Sequence, residues 1–199
     1  MEFPLIFGDN TCLMNLFFNI IYICWLLSEI ILNRVLRSRR GDQPLKGKQS
    51  LTIIWIAAIA ATVAAGNIAT YTRFPITDWV GIGWLGIGLI LLGMTIRFIA
   101  IISLGRFFTV DVAIRQGHML KKDGMYRYVR HPAYTGSLLS FLGFGVSLNN
   151  WVSLAVVVIP VTAAFLYRIK LEEEMLVASF GGEYERYRKE TYRLLPGVY

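Results

Sequence analysis

At 199 residues, 55% of them hydrophobic, with a mean hydropathy of +0.53 and a formal net charge of +7, the chain is long enough for one domain and too apolar for an ordinary soluble one. It reads as a polytopic membrane protein. All but two of its 20 Lys and Arg residues, Arg73 and Arg97, fall in three segments that the spans below place on one side of the bilayer, so topology explains the basic balance and no nucleic-acid partner is needed.

The N-terminus lacks the basic n-region of a cleaved signal peptide, so the first span is expected to stay in place. Residues 13–32 form an apolar run of about 20 residues, about 30 Å as a helix, which matches the hydrocarbon thickness. Cys12, at the edge of this apolar run, and Cys24, within it, encode neither a disulfide framework nor a zinc site, and no metal is expected elsewhere. Glu29, near the end of the run, reads as an interfacial carboxylate within reach of Arg34 or headgroup water. Residues 34–50 then carry Arg34, Arg37, Arg39, Arg40, Lys46 and Lys48 against Asp42 alone, the strongest inside marker in the sequence. A second span, 51–68, is rich in Ala, whose small side chain lets helix backbones approach closely. The short, nearly neutral stretch 70–78 is expected outside.

The third apolar run, 79–102, contains Gly81, Gly83 and Gly86 in a formal G-x-G-x-x-G. A dinucleotide fingerprint needs a preceding strand, a helix start and an acidic residue about 20 positions on. None is present, so these glycines are read as helix-packing residues. Arg97 lies roughly 8 Å from the inner end of this span, where a snorkelling side chain and a site residue explain it equally well. Residues 103–130 form a polar, basic inner connection. Pro132 suits the first turn of a helix, where its missing N–H costs nothing, so a fourth helix should run from there to Leu148. Asn149-Asn150 signals a turn, Trp151 suits an interface, and 152–167 returns as a fifth helix, with a kink expected at Pro160. Five spans put the N-terminus outside and the C-terminus inside.

Two strips of sequence carry the chemistry. Gly124, Tyr126, Arg130, His131, Pro132, Tyr134 and Gly136 stand in the pattern G-x-Y-x-x-x-R-H-P-x-Y-x-G. Downstream, Arg168, Glu172, Glu173, Leu176, Phe180, Gly181, Tyr184 and Tyr187 give R-x-x-x-E-E-x-x-L-x-x-x-F-G-x-x-Y-x-x-Y, and the chain then runs to Arg193-Leu194-Leu195-Pro196. In both blocks and in their order the chain resembles the isoprenylcysteine carboxyl methyltransferase family, in a short prokaryotic-type form. Its members are integral membrane enzymes that use S-adenosylmethionine. Spans and motifs together predict an all-α integral membrane protein of five transmembrane helices, with helices 4 and 5 as a hairpin and an inner-side cofactor pocket. Residues 1–102 would hold three spans and their basic loop, and 103–199 the cofactor-binding catalytic region, the hairpin and a C-terminal amphipathic segment.

The resemblance implies methyl transfer from S-adenosyl-L-methionine, with S-adenosyl-L-homocysteine as product, to the carboxylate of a lipophilic, isoprenylcysteine-like acceptor. The site would face the cytoplasm, in the cell membrane of a prokaryote or the endoplasmic reticulum of a eukaryote, with membrane lipids as its surroundings. A carboxylate acceptor is already ionised at neutral pH, so no general base is required and catalysis rests on proximity and orientation. The acceptor does need a positive fork, which arginine supplies in bidentate geometry. The resemblance assigns Arg168 to this role, against its reading as a positive-inside anchor. Glu172 falls one helical turn later on the same face, and the resemblance makes it a donor contact. The residues alone leave open a solvated acidic run of Glu172, Glu173 and Glu174, or neutralisation of nearby arginines.

His131, Pro132, Ala133 and Tyr134 match the family's donor-contacting turn. His118, Met119, Leu120 and Lys121, with Tyr126, align with the donor-binding strip that precedes it. Tyr126 or Tyr134 would supply an aromatic wall for adenine or the sulfonium, and Met119 and Leu120 an apolar one. Arg130 is open between a headgroup phosphate and structural packing. Rival readings are a phospholipid N-methyltransferase, for which Arg168 is poorly suited, and an NADPH-dependent membrane reductase of the sterol C14-reductase type, which carries a similar H-P-x-Y and ending. The complete R-H-P-x-Y-x-G with R-x-x-x-E-E favours the methyltransferase, and a non-catalytic scaffold leaves Arg168 and Glu172 unexplained.

Overall fold

Six helices follow one another in a computed structural model that describes residues 10–35, 43–44, 47–105, 113–114 and 120–197. They are α1 (Asn10–Val35), α2 (Gly47–Tyr71), α3 (Ile82–Leu104), α4 (Pro132–Ser147), α5 (Trp151–Phe180) and α6 (Gly182–Glu190). A 3-10 turn, Gly124–Arg127, precedes α4. Two-residue strands β1 (Gln43–Pro44) and β2 (Ala113–Ile114) pair antiparallel. That pairing joins the α1–α2 connection to the α3–α4 connection, the two basic segments that the charge pattern puts on one side.

Among the described residues, α2, α3 and α5 are long and apolar enough to cross a membrane, over Gln49–Tyr71, Ile82–Leu104 and Trp151–Phe180. The described apolar part of α1 is Leu16–Leu32, within a 26-residue helix, and α4 has 16 residues, so among the described residues three of the five expected spans meet that measure. Large apolar side chains on these helices point outward, among them Ile56, Val63, Ile102 and Ile159, as a lipid-facing surface requires.

The predicted packing role of the glycines holds for Gly86. A Cβ there would sit 2.5 Å from Ser147 Cβ and 2.6 Å from Gly143 O, and one at Gly93 would sit 2.5 Å from Gly136 O. Facing small residues thus bring the α3 and α4 backbones together, the arrangement available to helices that gain little from burying apolar surface in lipid. α5 packs mainly on α2 and α4. Trp25 of α1, 1% exposed, fills the centre against Phe141 and Phe144.

The turn at 148–150 does more than reverse the chain. Asn149, at φ 47°, accepts hydrogen bonds from the backbone N–H groups of Ile76 and Thr77, and Asn150 caps α5 by accepting from Val152 N and Ser153 N. α5 does not stop near residue 167, as the apolar pattern predicts. No Gly or Pro interrupts the helix between Pro160 and Gly181, so the backbone continues through the charged stretch and ends where Gly181 adopts φ +52°. Arg168, Glu172 and Glu173 therefore lie on one rigid rod.

Candidate functional site

The site is built on the start of α4. Pro132 opens the helix, and the chain before it runs alongside the C-terminal tail. Val129 and Tyr192 form a parallel bridge, Tyr192 N donates to Tyr128 O (2.9 Å), Arg130 N to Tyr192 O (2.9 Å), and His131 N to Arg193 O (3.2 Å). Thr135 Oγ1 donates to Leu194 O at 2.7 Å. The R-H-P strip and the R-L-L-P ending are therefore two sides of one seam.

Glu173 closes that seam from α5. Its carboxylate, 4% exposed, accepts from Arg130 Nε at 3.0 Å and from Arg193 Nη2 at 2.9 Å, with His131 Nε2 at 3.4 Å. Arg130 also donates to the carbonyls of Arg188 and Thr191. This settles the open reading of Arg130 in favour of packing. Glu173 was not among the site residues expected from the motifs. The signal was present, since Glu173 is the second acid of the E-E pair and both arginines belong to the motifs.

One position earlier, about 100° around α5, another face carries a different set. Arg168 is 1% exposed; its Nη1 donates to Ser50 Oγ at 2.7 Å and its Nε to Tyr134 Oη at 3.1 Å. Tyr134 Oη in turn donates to Glu172 Oε2 at 2.7 Å. The ring of His131 stacks on Tyr134 at 5.7 Å and 21°. Arg168 is thus held inside the helix bundle rather than anchoring at a surface. Nothing in the sequence marks Ser50 as its partner.

A cavity of about 200 Å³ meets Arg168 and Tyr134. Its walls are mostly apolar side chains of α1 and α2, including Leu26, Ile59 and Val63, which also face outward, so the cavity reaches the outer surface of the helices. Arg97 and Glu29 line it as an ion pair, Nη2 to Oε2 2.8 Å. Arg97 Nη1 donates to Ser137 Oγ at 2.6 Å and to Ala133 O at 3.2 Å. The expectation for Glu29 is corrected, and of the two open readings of Arg97 the structure favours the one inside the bundle. Arg97 turns inward instead of snorkelling, and Glu29 meets Arg97 rather than Arg34 or headgroups, because each supplies the buried countercharge that the other needs.

Of the other expected donor residues, Ala133 is buried in the first turn of α4, Leu120 is half-buried, and Lys121 pairs with Asp123 at 2.8 Å. The Tyr126 ring is buried, and its hydroxyl donates to Ala100 O at 3.3 Å. Burial pushes the phenols of Tyr126, Tyr184 and Tyr187 up, which keeps them neutral. His118 and Met119 lie outside the described residues. Among the described residues no cluster of metal-ligating side chains occurs.

The isoprenylcysteine carboxyl methyltransferase family model matches residues 85–178. The protein-S-isoprenylcysteine O-methyltransferase of Schizosaccharomyces pombe is 38% identical over 107 residues, 53% of this chain and 45% of that protein. Protein-S-isoprenylcysteine O-methyltransferase B of Arabidopsis thaliana is 36% identical over 110 residues, 54% of this chain and 56% of its own length. A solved structure of the eukaryotic intramembrane Ras methyltransferase of this family superposes with a TM-score of 0.56 at 26% identity, covering 72% of this chain and 52% of that one. The chain thus spans about half the length of the relatives it matches. Three helices of membrane-crossing length and the likeness to an intramembrane enzyme make this an integral membrane protein. The family match thus takes in most of α3, all of α4, most of α5 and the Arg168–Tyr134–Glu172 chain of hydrogen bonds, just under half of the residues.

Proposed function

We propose that this protein is an S-adenosylmethionine-dependent membrane methyltransferase acting on the carboxylate of a lipophilic, isoprenylcysteine-like acceptor. α1 to α5 all cross the bilayer, and the site lies near its cytoplasmic side. The observation that carries the reading is Arg168, a buried guanidinium at the end of an apolar cavity that reaches the outer surface of the helices. An acceptor with a long apolar tail and one carboxylate matches that cavity in both parts: the tail lies along α1 and α2, and the carboxylate meets the guanidinium fork.

The residues suit the donor as well. Glu172 presents a half-buried carboxylate to an ammonium or to ribose hydroxyls, and the stacked His131 and Tyr134 rings offer an aromatic face to a sulfonium. Bound there, S-adenosylmethionine supplies an electrophilic methyl group that leaves a neutral thioether. The protein's contribution is position. Arg168 fixes the carboxylate, Ser50 and Tyr134 fix Arg168, and Tyr134 ties the acceptor's arginine to the donor's glutamate. No proton moves, because the acceptor carboxylate is already ionised at neutral pH.

The test is a pair of titrations of the purified protein in detergent, with S-adenosylhomocysteine and with NADPH, followed by transfer of labelled methyl to an S-farnesylcysteine analogue. Binding of S-adenosylhomocysteine with base-labile methyl incorporation is the expected result. Binding of NADPH alone would move the chain to the reductase reading, and incorporation into phospholipid amines would move it to the N-methyltransferase one.

A further inference from the structure

The face of α5 that lies away from Arg168 borders a second pocket. Leu166, Lys170, Glu173 and Val177 recur at spacings of four, three and four, one face of the helix, and Val177 stands nine positions from Arg168, half a turn around it. With Glu174 they line an open pocket of about 570 Å³, to which α6 adds Arg188 and the C-terminal tail adds Arg193. Three segments meet there, and each brings one cation. Against Lys170, Arg188 and Arg193 stand two carboxylates, Glu173 and Glu174. Glu173 is already engaged by Arg193 and by Arg130, which adds a fourth cation, and His131 beside it adds no negative charge. Among the described residues no hydrogen bond or ion pair engages the side chains of Lys170 and Arg188, both of them exposed.

Four cations around two carboxylates favour an anionic ligand. The far end of the stripe says which kind. Leu166 is half-buried, and Ile159, two turns further along the same face, is 67% exposed, as a lipid-facing side chain is. From Ile159 to Lys170 the helix rises roughly 16 Å, about the hydrocarbon depth of one leaflet. An apolar track one leaflet deep that ends in a cationic pocket matches a lipid in both parts, whereas a soluble anion makes no use of the track. We propose that this pocket binds the phosphate of an anionic phospholipid through Lys170, Arg188 and Arg193, with an acyl chain along Leu166 and Ile159. The site lies on the other side of α5 from Arg168 and does not depend on the methyltransferase reading. A headgroup held there ties α5, α6 and the tail together, so its binding is read as thermal stability.

The experiment follows thermal unfolding of the purified protein in uncharged detergent micelles titrated with dioleoylphosphatidylglycerol, with dioleoylphosphatidylcholine, or with glycerophosphoglycerol, the headgroup without acyl chains. Phosphatidylglycerol is expected to raise the unfolding temperature by several degrees and to saturate, and the other two to do little at the same concentrations. Lys170→Gln/Arg188→Gln, at two exposed positions, should move the phosphatidylglycerol midpoint to about tenfold higher concentration. Arg186→Gln/Lys189→Gln removes the same charge from exposed positions of α6 outside the pocket and should move it less than about twofold. No stabilisation by phosphatidylglycerol, or as much by phosphatidylcholine, overturns the proposal. So do equal shifts in the two double variants, because general attraction to a chain of net charge +7 then explains the effect. A full response to glycerophosphoglycerol overturns it in favour of a soluble phosphate ester, and stabilisation by hexaglutamate in micelles free of phospholipid overturns it in favour of an acidic protein segment.

Discussion

Two polar clusters flank α5 at the same height, and they are organised in opposite ways. The one centred on Glu173 is closed by its partners: two guanidiniums and an imidazole surround a single carboxylate, and all three come from the seam between the 128–131 strip and the C-terminal tail, with an open surface pocket at its margin beside Lys170 and Arg188. The one centred on Arg168 is open. Its guanidinium is buried but faces a cavity, and its chain of hydrogen bonds ends on a half-buried carboxylate, Glu172. Glu172 and Glu173 are identical residues side by side, and a rotation of about 100° around the helix separates a candidate ligand from a structural bolt. A buried carboxylate ringed by three cationic side chains favours one conformation, whereas the Arg168 guanidinium, itself hydrogen-bonded, borders the space along α1 and α2.

The comparison breaks most visibly at Glu173. Glu173→Gln leaves Arg130 buried without its countercharge and should cost about 3–5 kcal/mol of stability, read as a lower unfolding temperature in detergent. Protection of the 191–194 backbone against hydrogen exchange should fall with it. An unfolding temperature equal to wild type would show that the seam does not depend on the closed cluster.

The open cluster should fail in the opposite manner. Arg168→Ala is expected to lower methyl transfer about a hundredfold or more while S-adenosylhomocysteine binding stays near wild type, because only the acceptor's orientation is lost. Arg168→Lys keeps the charge but not the bidentate fork and should recover little of the rate. Wild-type turnover in a folded Arg168→Lys protein would refute the carboxylate clamp.

Glu172→Gln separates the two neighbours directly. It should weaken S-adenosylhomocysteine roughly tenfold to a hundredfold, the worth of a charged hydrogen bond of about 1.5–3 kcal/mol, with an unfolding temperature close to wild type. A stability loss matching that of Glu173→Gln would erase the distinction. The smallest effect is expected at Ser50→Ala, which removes one of the bonds that orient Arg168. A three- to tenfold fall in transfer at unchanged donor affinity is the sign to look for in steady-state kinetics, about 1 kcal/mol.

Much of this architecture was legible in the sequence. The apolar runs located the helices, Pro132 the start of α4, the paired asparagines the α4–α5 turn, and the two motifs the strips that meet. These are local signals, written by hydrophobic length, by the geometry of proline and by side chains that cap their own backbone. Apolarity could not locate the end of α5, since a helix stops where the backbone requires it, at Gly181, and not where it leaves the lipid.

What only the tertiary structure decided is the partner of each buried charge. Glu29 and Arg97 stand on different helices, 68 positions apart; Glu29 alone read as an interfacial residue and Arg97 was open between snorkelling and the site, and packing α1 against α3 gives each the countercharge that lets both turn inward. Ser50 reaches Arg168 across 118 positions, and Glu173 meets Arg193 only because the tail folds back along the 128–131 strip. Sequence composition and spacing determined which groups are present and on which helix, because those properties are local. Which of them pair, and which are left facing a cavity, follows from the rotation and register of one helix against another, and those are set by the packing of the whole bundle.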